Sequence, residues 1–434
     1  MFLITRRAIG AGKLMASSEF SGFYKLSAEE RRKHVGKFAG LSEEEVGALE
    51  ESGKLLGGAI AGMVENQIGT LPVPLGVATG FLINKKDYLV PMATEEPSVI
   101  AAASNAAKIA RECGGFSTSS TEPVMIGQIQ LLEIERPEAA VAALLKEKTE
   151  LLALANKQDD VLVGRGGGAR EIEARVLDTN QGKMVIIHLL VDVRDAMGAN
   201  VINTMTEAMT PKLEEITGGK ACLRIISNLA VHRLARAKVL LKRDVIGAEV
   251  VEGVVNAHAF AASDPYRCAT HNKGIMNGVD AVALATGNDT RAVEAGAHSY
   301  ASMKGYRPLT HWEADKHGDL EGSIELPIAV GIVGGATKTH PIAKISVKVL
   351  GVKSARELAE IMAAVGLAQN FAALRALSTE GIQKGHMRLH ARNIAILAGA
   401  EGKEIEKVTE GLKMEGRVTV DKARELLKGV RERK

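Results

Sequence analysis

A chain of 434 residues exceeds one ordinary domain and has room for two or three, each burying its own core. Its 55 basic and 52 acidic residues are interspersed and nearly cancel to +3, which leaves no basic tract of the nucleic-acid-binding kind, and its longest apolar runs break well short of the about 18 residues a membrane span needs. Three scattered cysteines, Cys113, Cys222 and Cys268, argue against a disulfide framework or a zinc knuckle and fit a reducing, cytoplasmic compartment.

Residues 1–18 carry Arg6, Arg7 and Lys13 without a continuous apolar core, a poor signal peptide that reads as a tail, with Met15 as an alternative start. Capping boxes at Ser27-x-x-Glu30 and Ser42-x-x-Glu45 open two short helices. Over 68–93, Val- and Leu-rich pieces around an Asn84-Lys85-Lys86-Asp87 turn predict paired strands. A helix follows over 98–113, with Pro97 at its start and a small-residue face of Ala102, Ala103, Ala106 and Ala110 that permits close packing. Past a Ser/Thr-rich hinge at 117–121 come a strand (124–134), a helix (137–156), a Gly-rich turn (164–168), two strands ending near Asp192, a helix from about Asn200 and a strand (223–229). Strand, helix, two strands, helix, strand is the split βαβ, ferredoxin-like order. The expected fold is therefore α+β: a small domain at 122–230 inserted into a large, mostly helical domain at 19–121 and 231–380. Helices at 250–262, 273–284 and 291–303, a hairpin near 316–319 and a long helix at 354–368 continue the large domain, and the charged tail 381–434 reads as a helical C-terminal flap.

Several clusters carry chemical potential. Asp195-Ala-Met-Gly-Ala-Asn200 lies between a strand and a helix, where backbone amides and a helix dipole can face a pyrophosphate, although an ordinary turn would look the same and the run is not GxGxxG. Glu95 and Glu96 stand before the small-residue helix, where mutual repulsion raises a carboxyl pKa and the helix end lowers it. The densest polar run, Asp264-Pro-Tyr-Arg267-Cys-Ala-Thr-His271-Asn272-Lys273-Gly-Ile-Met-Asn277, crowds donors at what reads as a loop-to-helix junction, with Asp289 soon after. A lysine held among amides and carboxylates suits a developing oxyanion. His386 and His390 share a helical face, but without HExxH or nearby Cys or Asp no metal is expected. Neither a P-loop ending nor a G-x-S-x-G elbow is present.

Taken together and in order, Glu65-Asn-Gln-Ile-Gly-Thr70, Thr94-Glu-Glu-Pro-Ser98, Asp195-Ala-Met-Gly-Ala-Asn200, the Asp264 to Gly278 run, Ala285-Thr-Gly-Asn-Asp289, Gly331-Ile-Val-Gly-Gly-Ala-Thr-Lys-Thr-His-Pro341 and Gly385-His-Met387 resemble the 3-hydroxy-3-methylglutaryl-CoA (HMG-CoA) reductases, from about residue 23 onward. Glu95-Glu96-Pro97 and the lack of an anchor resemble class II, the bacterial and archaeal branch.

The resemblance implies interconversion of HMG-CoA and mevalonate with two hydrides from a nicotinamide cofactor, through mevaldyl-CoA and mevaldehyde. Its catalytic residues fall on Glu96, Lys273, Asp289 and His386: Lys273 for the oxyanion, Asp289 holding Lys273, His386 on a mobile flap protonating the CoA thiolate, and Glu96 supplying the alcohol proton. Ser98 and Arg267 would bind the HMG carboxylate, with Asn277 near Lys273. Asp195, Met197, Gly198 and Asn200 match the dinucleotide motif, and Asp159 matches the acid at the adenosine ribose, which repels a 2′-phosphate and favours NADH, while Lys157 beside it leaves room for NADPH. Interlocked homodimers with shared active sites, assembling to hexamers, are the family's habit. Synthesis of mevalonate for isoprenoids is the expected direction, breakdown the alternative. Two rivals stand apart: a non-redox CoA-ester lyase or transferase, which would bind no nicotinamide, and an assembly module indifferent to Lys273→Ala.

Overall fold

The computed structural model describes residues 17–20, 22–50, 63, 65–66, 68–379 and 391–432. The chain opens with helices α1 (Ala28–Ala39) and α2 (Glu43–Glu50), the first closed by the capping box of Ser27 and Glu30. Strands β1 (Leu75–Ile83) and β2 (Lys86–Ala93) form an antiparallel hairpin whose turn residues Asn84 and Lys85 both have positive φ, the geometry that matches strand twist in a two-residue turn. Helix α3 (Val99–Glu112) buries Ala103, Ala106, Ala107 and Ala110. Then β3 (Ser117–Ser120) leads into β4 (Val124–Leu132), α4 (Pro137–Lys146), α5 (Lys148–Asn156), α6 (Asp160–Gly164), β5 (Gly168–Thr179), β6 (Gly182–Asp192), α7 (Ala199–Thr217) and β7 (Lys220–Ser227).

Sheet order β5-β6-β4-β7, antiparallel at every pairing, is the ferredoxin-like arrangement, and this sheet has its own apolar core, which includes Met125, Ile187, Leu189, Ile202 and Met209. The chain returns through β8 (Leu234–Leu241), which pairs with β3, so the two strands flanking the ferredoxin-like unit are neighbours in a second sheet of order β3-β8-β10-β9. At that junction Leu234 N donates to Thr121 Oγ1 at 2.8 Å.

The rest is largely helical: α8 (Arg243–Ile246), α9 (Ala248–Ser263), α10 (Pro265–Ala285) and α11 (Thr290–Ser302), the hairpin β9 (Thr310–Ala314) and β10 (Leu320–Pro327), then α12 (Gly335–Thr339), α13 (Pro341–Leu350) and α14 (Ala355–Ser378). A second, larger core gathers residues of β1, β2, α3, α9, α10, β8, β10 and α14. Helix α14 runs ten residues beyond the expected end at 368. Long and apolar enough by composition to cross a membrane, it is instead wrapped by α3, α9, α10 and β8, with a run from Ile361 to Phe371 buried throughout. Helices α15 (Lys403–Glu415) and α16 (Val420–Glu432) share a small core of their own with Ala391 and Ile394.

Two boundaries differ from expectation for local reasons. The helix expected over 137–156 is two, because Glu147 leaves the helical region and its N–H is shared between the carbonyls of Ala143 and Leu144. Helix α10 starts at Pro265, eight residues before the expected 273, because Asp264 caps it, accepting from Arg267 N at 2.7 Å, and Pro265 fits the first helical position. From Pro265 onward the polar run is helix, more than three turns of it, not a loop junction. Most of the expected N-terminal tail, residues 1–16, lies outside the described residues.

Candidate active site

Helix geometry sorts the polar residues of α10. Lys273 and Asn277 are one turn apart and face the same way. Opposite them, the loop after β2 presents Glu96, whose N–H donates to Thr94 Oγ1 at 3.2 Å. Lys273 Nζ lies 2.9 Å from Glu96 Oε2, and Asn277 Nδ2 donates to the same oxygen at 3.4 Å. The lysine side chain is 59% exposed and the glutamate 37%, so the pair opens to solvent and to a ligand. Two residues on, Ser98 holds φ at +79°, an unfavourable conformation for a residue with a Cβ, and its buried hydroxyl has no partner among the described residues. A hydroxyl fixed this way, two residues from Glu96, keeps a donor unspent.

The remaining predicted residues are placed differently. Arg267 is on α10, six residues before Lys273 and about 9 Å along the axis. Its guanidinium pairs with no acid among the described residues, while its N–H takes the Asp264 cap. Asp289 does not meet Lys273. It caps α11, accepting from Arg291 N at 3.0 Å and Ala292 N at 3.2 Å, and pairs with Arg291 Nε at 3.1 Å. Burial pushes its carboxyl up, but Arg291 and the amides outweigh that and hold it below the usual range, so it is an anion at neutral pH. The gap is structural: the twelve residues of α10 that follow Lys273 span about 18 Å before Asp289 is reached. The direct Asp289–Lys273 contact expected from sequence is therefore absent within one chain. His386 lies outside the described residues.

The turn between β6 and α7 is well defined. Gly198 caps α7 with φ +106° and no side-chain cap, which leaves the first-turn amides of Ala199 and Asn200 open. Asp195 Oδ1 accepts from Ala355 N at 2.8 Å, so its carboxylate caps α14 rather than facing outward, and Met197 is half-buried in the same turn. Asp159 caps the short α6, taking Leu162 N on Oδ1 at 2.8 Å and leaving Oδ2 without a partner among the described residues.

Sequence reasoning missed Asp280, one turn beyond Asn277. Burial and the neighbouring Glu294 carboxylate push it up to about 8, and one of its oxygens is buried without a partner. A single acid at helical spacing from Lys273 was the available signal. It also missed Arg233, a lone basic residue in the apolar run Asn228-Leu-Ala-Val-His-Arg-Leu, where nothing local marks a role.

Comparison with known proteins gives a consistent result. The family model for hydroxymethylglutaryl-coenzyme A reductase matches residues 27–391. The 3-hydroxy-3-methylglutaryl-coenzyme A reductase of Archaeoglobus fulgidus is 60% identical over 431 residues, 99% of both chains, and a probable enzyme of that name from Borreliella burgdorferi is 38% identical over 76% of this chain and 77% of its own. The structure of the Streptococcus pneumoniae 3-hydroxy-3-methylglutaryl-coenzyme A reductase superposes with a TM-score of 0.81 at 40% identity, covering 95% of this chain and all of that one. A class II structure from the same organism, bound to NADPH in open conformations, gives 0.80 at 41%, covering 83% and 100%.

Proposed function

This chain belongs to the hydroxymethylglutaryl-coenzyme A reductase family, and from that premise we propose how its residues divide the work. It is a class II enzyme, an NAD(P)H-dependent oxidoreductase that interconverts HMG-CoA and mevalonate plus CoA. Two molecules of the reduced nicotinamide dinucleotide, bound one after the other, would each supply one hydride. The open amides at the start of α7 fit the dinucleotide pyrophosphate, and the free oxygen of Asp159 fits a ribose hydroxyl better than a phosphate, which supports NADH as the preferred form.

The observation that carries the division of roles is the Glu96–Lys273–Asn277 cluster. Lys273 places its ammonium at the thioester oxygen and stabilises the oxyanion of mevaldyl-CoA. Glu96, in contact with that ammonium, returns the proton the second alkoxide needs to become the mevalonate hydroxyl. His386 protonates the departing CoA thiolate. Ser98 and Arg267 hold the HMG carboxylate.

Asp289 reaches Lys273 from a second copy of the chain, because the length of α10 keeps the two apart within one, and a homodimer with shared sites, extending to a hexamer, supplies that copy. The ferredoxin-like segment 122–230 is the nucleotide-binding domain, residues 19–121 and 231–380 form the domain for HMG-CoA and dimer contacts, and 381–434 is the flap, in a cytoplasmic enzyme of mevalonate synthesis.

Absorbance at 340 nm tests the cluster. Wild-type protein oxidises two NADH per HMG-CoA, and Lys273→Ala lowers kcat by about a thousandfold or more with oligomer size unchanged. A folded lysine variant within tenfold of wild type removes Lys273 from the chemistry.

A further inference from the structure

The turn at 195–198 and the catalytic-site loop at 286–289 are separate in sequence, yet the segment following β10 touches both. Ile332 N donates to the Asp195 carbonyl at 2.9 Å. Gly331 approaches so closely that a Cβ on it would stand 2.7 Å from Met197 N and 3.0 Å from the Ala196 carbonyl carbon. From its other side, Gly331 N donates to Asn288 Oδ1 at 2.8 Å, and Asn288 Nδ2 donates to Thr286 Oγ1 at 3.0 Å. Asp289 is the next residue.

Arg233 closes this arrangement. It lies just before β8 and is 5% exposed, and it has no ion-pair partner among the described residues. Its guanidinium donates to the carbonyls of Ala196 at 3.1 Å and Met197 at 3.2 Å, and to Val330 O. A buried cation carries a large desolvation cost, here enough to push the guanidinium down to about 10, and packing alone would be served better by leucine. What arginine supplies is a rigid fork that ties the turn to the 328–332 segment at fixed spacing.

We propose that Arg233 and Asn288 are positioning residues that fasten the dinucleotide-binding turn and Asp289 to one strut, residues 328–332, so that a single chain presents cofactor and Asp289 in fixed register. The inference rests on the reading above, in which the turn binds the dinucleotide and Asp289 is catalytic. Arg233 acts through the carbonyls of Ala196 and Met197, whose peptide planes set the direction of the amides at the start of α7. Asn288 acts through the backbone that aims Asp289.

The test uses the full chain and two readouts. NADH fluorescence titration, without substrate, gives the cofactor Kd of Arg233→Lys, which keeps the charge and loses the fork. Steady-state kinetics give kcat and both KM values for Asn288→Ala, alone and with Asp289→Asn. The expected results are a rise of about tenfold in Kd for Arg233→Lys, and for Asn288→Ala a fall of about tenfold in kcat with the HMG-CoA KM within about twofold, a fall that disappears when Asp289 is already Asn. A merely structural role would move melting temperature and both KM values together and would add to the Asp289 effect. Full additivity, or no fall in kcat, overturns the proposal whether or not Arg233→Lys folds. Wild-type kcat in Asp289→Asn, or wild-type NADH affinity when Gly198→Val fills the turn, fails the underlying reading instead and takes the proposal with it.

Discussion

Lys273 is legible in sequence because amides and carboxylates crowd around it in a short run, and the structure adds which of them it meets. Its partner Glu96 comes from 177 residues away, a pairing that no local pattern encodes. Ser98 shows the opposite case: its left-handed backbone and buried hydroxyl are visible only in three dimensions. Asp159 is picked out by its place after Asn156 and Lys157, and its role divides between two oxygens, one capping α6 and one free. Asp159→Ala should therefore do two things at once. We expect a rise of about tenfold in the KM for NADH and a smaller change for NADPH, narrowing or reversing the preference, together with about 1 kcal/mol of destabilisation from the lost cap. Kinetics with both nucleotides and a urea melt separate the two effects, and equal changes for NADH and NADPH would deny Asp159 any part in discrimination.

Helix α10 explains much of what sequence reading placed well and what it missed. The sequence pointed to a polar junction followed by an apolar helix, whereas the cap by Asp264 and Pro265 makes the whole run helical and so sets Arg267, Lys273 and Asn277 on a rigid rod. The signal for that earlier start, an Asp-Pro pair, was present in the run. The rod is pinned by His271, fully buried, whose Nε2 meets Thr310 Oγ1 at 2.7 Å while Asn370 accepts from both Thr310 and Trp312. Burial, reinforced by His258 and Arg267, pushes His271 down to about 3, so the ring stays neutral through the physiological range.

Asp280, further along the same rod, is shifted the other way. With its folded pKa raised to about 8, the folded protein binds a proton that the unfolded chain releases near pH 4; the stabilisation is complete below that pH and is lost as pH climbs through about 8. Asp280→Asn should thus remove that decline and raise the melting temperature at pH 8 by about 2–4 °C, with little change near pH 4. Scanning calorimetry at the two pH values decides it: an equal shift at both, or none, would mean that Asp280 does not hold the proton.

At the scale of the whole molecule, the strand and helix order already announced a ferredoxin-like unit, because alternation of period and turn signals is local information. Sheet partners are not local, and neither β3 with β8 nor the contact of 328–332 with the turn was foreseeable from composition or spacing. The distance between Asp289 and Lys273 is likewise a property of the folded chain, and it yields a test of assembly. Co-expressed Lys273→Ala and Asp289→Asn chains, each strongly impaired alone, should regain about a quarter of wild-type activity in statistically mixed dimers, since half of the dimers are mixed and each has one intact site of two. Activity that never exceeds that of either parent in purified hetero-oligomers would place Asp289 and Lys273 of a working site on one chain.

The junction at Thr121 and Leu234 also bears on how the chain finds its fold. Those residues are 113 apart in sequence yet hydrogen-bonded, so while the intervening segment is unstructured the β3–β8 pairing must close a very long loop. Once β4 to β7 have assembled around their own core, the ends are brought together and the effective loop shrinks to a few residues, relieving about 2–3 kcal/mol of closure entropy. Folding of the inserted unit thereby becomes the early event on which its host waits, and a lesion in the core of the insert slows maturation of the domain around it.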